Sequence, residues 1–221
     1  MPADAARFIF RRKAGTSRIT MRLDKTGAVV VTYPFFCPRR KAEQFVNAQA
    51  DWIDRQRAHL PAIRIFKPGD AITIAGREYA LAPAPESRGT HAAGGVLRVG
   101  GAPEFFHHRV CDFIRKETLA YLESRADAYA RALGVAHGRI ALRDTSTRWG
   151  SCSGRKSLNF CWKIGLAPDY VIDYLVAHEV SHLCEMNHGD AFWKTLARLP
   201  VRRADAEIWL RRHGRELQAV K

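Results

Sequence analysis

One segment of the chain has residue types and spacing suited to chemistry: His178-Glu179-Val180-Ser181-His182, followed by Asn187-His188-Gly189. On an α-helix, residues four apart lie about 40° apart around the axis, so the His178 and His182 imidazoles can point at a single ion. Zinc accepts neutral imidazole nitrogen readily, and two such ligands need a third. Glu179 stands one step further round, badly placed to ligate the ion while both histidines do. That position suits a base hydrogen-bonded to the ion's water. The chemistry needs all three residues: the metal lowers the water's pKa towards ~7, and the carboxylate takes its proton as the hydroxide attacks. The plain alternative is a helix of ordinary core histidines with an exposed glutamate. Buried imidazoles and a buried carboxylate need partners, however, and a metal satisfies all three.

The third ligand must come from beyond the helix. His188 stands six residues after His182, and its neighbours Asn187 and Gly189 both tolerate the left-handed conformation that ends a helix. Glu185 competes because it continues the stripe of His178 and His182. It lies about 4.5 Å further along the axis, on the far side of His182 from His178. We therefore expect His188 as the ligand and Glu185 as a neighbouring or surface group.

Certain elements must position these side chains. A helix with apolar residues on most sides fits Tyr170–Met186, opened by Pro168 in its first turn. Before it, Arg139–Arg143 and Ser157–Ile164 read as strands joined by the polar loop Asp144–Lys156, and Glu104–Leu133 reads as a long amphipathic helix closed by Gly134. Helices over Asp190–Leu199 and Arg203–Leu217 finish the chain. The first hundred residues are mostly strand: Arg7–Arg12, Arg18–Leu23, Ala28–Tyr33, Ala71–Ile74, Arg77–Leu81 and Val96–Val99. One helical face interrupts them between Pro38 and Leu60. The joints Pro83–Gly95 and Gly100-Gly101-Ala102-Pro103 suggest two parts, a strand-rich one with a single helix over 1–101 and a metal-binding catalytic one over 102–221.

The composition bounds the function. A chain of 221 residues with 47% hydrophobic and 26% charged residues buries a sizeable core, and wholesale disorder is excluded. No apolar run reaches the ~18 residues of a membrane span, and Met1–Arg18 lacks the apolar stretch of a secretory signal. Five cysteines, Cys37, Cys111, Cys152, Cys161 and Cys184, form no C-x-x-C pair and suit a reducing cytoplasm. The last three read as packing residues rather than ligands. The 36 Lys and Arg against 22 Asp and Glu leave +14, which admits an anionic substrate or nucleic acid but more simply describes a solvated surface.

A wider set of residues carries a family resemblance. Arg148-Trp149-Gly150-Ser151-Cys152-Ser153, Leu158-Asn159, Pro168 and Val171-Ile172-Asp173-Tyr174 precede the H-E-x-x-H, and Asn187-His188 and Phe192-Trp193 follow it. From about Thr145 to Pro200 the chain resembles the YgjP-like metal-dependent hydrolases. The resemblance implies an α+β protein with a zincin-like catalytic part of the small metallopeptidase kind. Zinc would sit on His178, His182 and His188, with Glu179 as catalytic base. Glu185 stands where the metzincin pattern has glycine, and no later Met-turn is evident, which places the chain with the smaller zincins. The same family also carries the label UTP pyrophosphatase.

Substrate contacts are expected from the Thr145–Lys156 loop and the strand after it. Arg148 can clamp a carboxylate or phosphate, and Gly150 lets a backbone approach closely. We assign Arg148, Trp149, Ser151 and Asn159 to substrate binding. The competing reading makes Trp149 a core anchor, Gly150-Ser151 a plain turn and Asn159 a turn cap. His59, His91, His107, His108, His137 and His213 show no ligand spacing and read as surface residues. Phe192 and Trp193 read as core.

Three functions remain. The first is a zinc-dependent hydrolase of metallopeptidase type acting on peptides, and the second a metal-dependent nucleoside triphosphate (UTP) pyrophosphatase. The third is a basic nucleic-acid-binding protein with a structural metal. A structural zinc wants four protein ligands and only three are credible here, so an open position favours catalysis. Another divalent transition metal could fill the same site.

Overall fold

The β-branched run Val29–Val31 forms the middle of a three-stranded sheet in the first of two units, residues 1–62 and 63–221, into which the computed structural model divides. Residues 8–24, 27–58 and 60–221 are described. The expected strand start at Arg7 and the surface assignment of His59 lie outside them. In the first unit, β1 (Phe8–Lys13) runs parallel to β3 (Val29–Pro34), and β2 (Thr20–Leu23) runs antiparallel to it. The register puts Phe10, Val31 and Met21 on one face, where they meet Ala42, Val46 and Ile53. Those three belong to α1 (Arg39–Asn47) and α2 (Ala50–Ala58). The single helix expected over Pro38–Leu60 is thus two. The break follows Asn47, a residue whose side chain competes for backbone hydrogen bonds and so disfavours a helix interior.

The second unit opens with a four-stranded sheet in the order β4-β5-β7-β6. Its strands are β4 (Ala71–Ile74), β5 (Arg77–Ala84), β6 (Thr90–Ala93) and β7 (Val96–Gly100). Ala75 and Gly76, at φ 47° and 79°, turn β4 into β5 with both central residues left-handed, the two-residue turn whose twist matches the strands. The stretch Pro83–Gly95 is not wholly a joint, because β6 lies within it. The expected boundary at residue 101 also falls inside this unit. Leu97 and Val99 of β7 share one core with Val110 and Ile114 of α3 (Phe106–Leu133). Gly100–Pro103 is therefore a surface bend between two elements of one core, not a linker.

α3 buries Ile114, Thr118, Leu122 and Ala126 along its length, and Gly134 at φ 71° closes it. Strand β8 (Ile140–Arg143) runs parallel to β10 (Leu158–Cys161), and β9 (Gly150–Cys152) pairs antiparallel with β10 on its other side. Trp162–Leu166 then forms a buried 3-10 turn. At its Gly165 a side chain would run into Thr118, so glycine lets this turn sit directly on α3. The turn leads into α4 (Asp169–Ser181), which has nine buried residues and lies in the core. Two charged contacts hold α4 to α3: Arg125 donates from Nε to Asp173 Oδ1 and from a terminal nitrogen to Oδ2, both at 2.7 Å. Tyr121 donates to the same carboxylate at 3.0 Å. Helices α5 (Asp190–Leu196) and α6 (Arg203–Gln218) complete an α+β unit. Among the described residues, no helix is long and apolar enough to cross a membrane.

Candidate metal centre

α4 ends five residues sooner than its apolar pattern suggests, at Ser181, whose hydroxyl donates back to Ala177 O at 2.7 Å. His182 still has helical backbone angles as the C-cap, so the four-residue spacing to His178 keeps its geometry. The chain then turns through exposed residues and returns at His188, just before α5. His178, His182 and His188 converge: ring centroids lie 5.0, 4.9 and 4.7 Å apart, and one ligand atom from each falls within 4.8 Å of the others. Nε2 of His178 and Nε2 of His188 face each other at 2.9 Å.

His182 Nδ1 lies 3.0 Å from the carbonyl oxygen of Glu185, so the proton sits on Nδ1 and the Nε2 lone pair is free. The Glu185 side chain is exposed and its contribution comes from the backbone. Phe192 is fully buried and touches all three imidazoles, with centroid distances of 4.9, 4.6 and 4.7 Å. It belongs to the core as expected, and it also forms the apolar floor under the histidines. Trp193 is only half-buried and lies beside His188 at 5.8 Å.

The electrostatics favour neutral imidazoles. Burial, reinforced by the neighbouring His182 and His188, pushes the His178 pKa down to about 4. Burial lowers His182 as well. His178 Nδ1 is buried without a hydrogen-bond partner. Three converging imidazole nitrogens make a donor set that fits a divalent transition metal.

Glu179 is 5% exposed, with its carboxyl packed against Gly150 of β9. A Cβ at Gly150 would lie 2.7 Å from its Cγ and 2.8 Å from its Cδ, so only glycine admits the carboxyl at that point. Burial pushes the Glu179 pKa up to about 7, against the opposing pull of the Arg148 guanidinium and of the Cys152 backbone N–H, which hydrogen-bonds the carboxylate. A carboxyl that exchanges its proton near neutral pH is suited to base catalysis.

Arg148, Trp149, Ser151 and Asn159 line one cavity of about 410 Å³, together with Arg143 and Asp144. The three histidines are not in its wall. Gly150 is the common element, lining the cavity and backing Glu179. Asn159 accepts from Arg143 Nε at 3.2 Å and pairs across the sheet with Ser151. Trp149 also packs at the margin of the main core, its ring against Gly214 of α6. It anchors the core and borders the cavity at once.

The structure differs from the remaining expectations at several points. Cys184 is exposed, because α4 stops before reaching it. His107 is no free surface residue: the Phe66 backbone N–H donates to its Nδ1 at 3.0 Å, and its Nε2 lies 3.0 Å from the Lys221 carbonyl oxygen. His137 bridges Asp127 and the Gly138 carbonyl. Sequence reasoning misses Tyr174 as a site residue. Its ring lies 6.0 Å from that of His178, and its hydroxyl donates to Glu207 at 2.8 Å. The available signal is its position four residues before His178, on the same helical stripe.

A family model for the YgjP-like metallopeptidase domain matches residues 17–213. Among solved structures, the metallopeptidase zymogen abylysin of Pyrococcus abyssi is similar at 18% identity and a TM-score of 0.38, over 45% of this chain and 99% of that one. The metallopeptidase zymogen jannalysin of Methanocaldococcus jannaschii is similar at 18% identity and a TM-score of 0.37, over 43% of this chain and 96% of that one. No curated protein matches the chain.

Proposed function

The chain belongs to the YgjP-like metallopeptidase family, with a zincin-like α+β fold, and is a metal-dependent hydrolase; we propose that it is a zinc-dependent peptidase with Glu179 as its base. The observation that carries this reading is the buried Glu179 carboxyl held against Gly150, one residue along the helix from a metal-competent histidine. His178, His182 and His188 would hold the ion, which when bound supplies Lewis acidity to water and to a substrate carbonyl. Glu179 accepts a proton at its carboxylate and passes it on to the leaving amine. The Cys152 N–H and Arg148 keep enough of that carboxyl ionised near neutral pH to act as the base. Phe192 excludes water from behind the imidazoles and fixes their rings. Arg148, Trp149, Ser151 and Asn159 contact the substrate through the cavity they share. The scattered free thiols support a reducing compartment, the cytoplasm.

The test is Glu179→Gln, which preserves shape and removes the base. Metal content stays at one ion per chain while hydrolysis of an unstructured protein falls ~10² to 10⁴-fold. Full activity at full metal occupancy would refute the assignment.

A second reading has its own support. Arg143 and Arg148 both border the cavity, and guanidinium pairs suit phosphate oxygens. A nucleoside triphosphate pyrophosphatase would release pyrophosphate from UTP, with Glu179→Gln as the blank. It would lose activity strongly on Arg148→Ala and with rising salt. Protein cleavage without pyrophosphate release leaves the peptidase reading standing.

A further inference from the structure

Half of the chain's formal charge lies in its first unit. Residues 1–62 hold 12 Lys and Arg against 5 Asp and Glu, +7 of the chain's +14. Strand register sorts part of this charge onto one side of a sheet. Arg11 and Lys13 of β1 share a face with Thr32 of β3 and with Thr20 and Arg22 of β2. This is the face opposite Phe10, Val31 and Met21, which pack on the helices. Arg11, Lys13 and Arg22 are exposed, and among the described residues none has an acidic partner. Just past the end of β3 the chain exposes Phe35 at 69% and Phe36 at 79%.

We propose that this basic sheet face and the Phe35–Phe36 tip bind single-stranded nucleic acid. The cations stand on the two outer strands, Arg11 and Lys13 in one row ~7 Å apart and Arg22 alone in the other, two strand spacings or ~10 Å away. Such a spread matches a polyanion that repeats its charge, whereas one lipid headgroup would engage a single row. Thr32 on the middle strand places a hydroxyl between the rows and Thr20 another beside Arg22, where both can donate to phosphate oxygens. Two solvent-facing aromatic rings give unpaired bases a surface to stack on, and a duplex keeps its bases stacked within itself. The arrangement belongs to the first unit and the metal centre to the second, and it owes nothing to the reading of that site.

The experiment is fluorescence anisotropy of the full chain with fluorescein-labelled oligo-dT, oligo-U and a DNA duplex of equal length, across a salt series. Single strands bind, and log affinity falls linearly with log salt. The triple variant R11E/K13E/R22E weakens both single strands by about 30-fold or more and flattens the salt slope by about two. Phe35→Ala with Phe36→Ala weakens single strands about tenfold and changes duplex affinity less than threefold. The dT and U arms show whether the sugar is read. A control with the same charge change elsewhere, R198E/R212E/R215E, shifts binding less than threefold. The proposal is overturned if that control weakens binding as much as the sheet variant does. Loss of the two phenylalanines without effect also overturns it, as does binding of phosphatidylserine vesicles with no binding of oligonucleotides.

Discussion

Glu179 and Gly150 meet with no space for a methyl group between them: a Cβ at residue 150 would sit 2.8 Å from the Glu179 Cδ. The helix carrying the histidines and the short strand β9 are thereby locked in relative position through one carboxyl and one bare Cα. Gly150→Ala must push the carboxyl aside, because β9 is fixed by its pairing with β10. We expect turnover to fall about 10²-fold while metal content stays unchanged. Elemental analysis beside a rate measurement checks it; normal turnover in the alanine variant would show that the carboxyl's position is unimportant.

Removing the third imidazole separates ligand from neighbour. His188→Ala leaves two nitrogens and should lose bound metal during dialysis. Glu185→Ala keeps the backbone carbonyl that accepts from His182 Nδ1, and should retain its metal. Elemental analysis of the two purified variants decides; the opposite ranking rejects His188 as a ligand.

The metal-free protein should carry a stability signature of Glu179. Its pKa in the fold, about 7, lies above the ordinary 4.5. The folded state therefore binds the proton more tightly than the unfolded chain does. Stability from this group is greatest below about pH 4.5 and is lost as pH rises through 7. Wild type should lose on the order of 2–3 kcal/mol relative to Glu179→Gln between pH 4.5 and pH 8. Urea titrations of both proteins, stripped of metal, measure the difference, and parallel pH curves would contradict the burial argument.

Asp173 ties α4 to α3 and touches none of the histidines. Asp173→Ala leaves the half-buried Arg125 fork without its carboxylate and the Tyr121 hydroxyl without its acceptor. The expected loss is about 2 kcal/mol, discounted for the partial exposure of the pair. Thermal unfolding should show it as a lowered midpoint, and an unchanged midpoint would mean that apolar packing alone holds the helices.

The convergence of the three histidines is legible in the sequence because it is local. Helical periodicity sets His178 and His182 on one side, and the Asn187–Gly189 turn returns His188 within one short loop. Glu179's partner is not legible. Gly150-Ser151-Cys152 has no β-branched residue to mark it as a strand, and only pairing with Leu158–Phe160 brings it against α4. The split of the chain at Ala62 is hidden for a similar reason. Glycines and prolines at 100–103 mark a bend equally well inside a core or between domains, and only the burial of Leu97 and Val99 on α3 tells the two apart. The apolar spacing around Phe192 identifies it as core. Its second role, beneath the imidazoles, depends on where α5 packs.

The His178 and His188 nitrogens that face each other are only ten residues apart in the chain. An ion shared between them would close a small ring, and the entropic cost of closing so short a loop is low. The strap inside that ring, Cys184–Asn187, is exposed throughout, with Met186 54% accessible. Losing the ion would therefore free a single surface strap and leave the buried length of α4 in place. Amide exchange on removing the metal should speed up over these few residues, and limited proteolysis should nick the chain near Met186 while the rest of the helix stays protected.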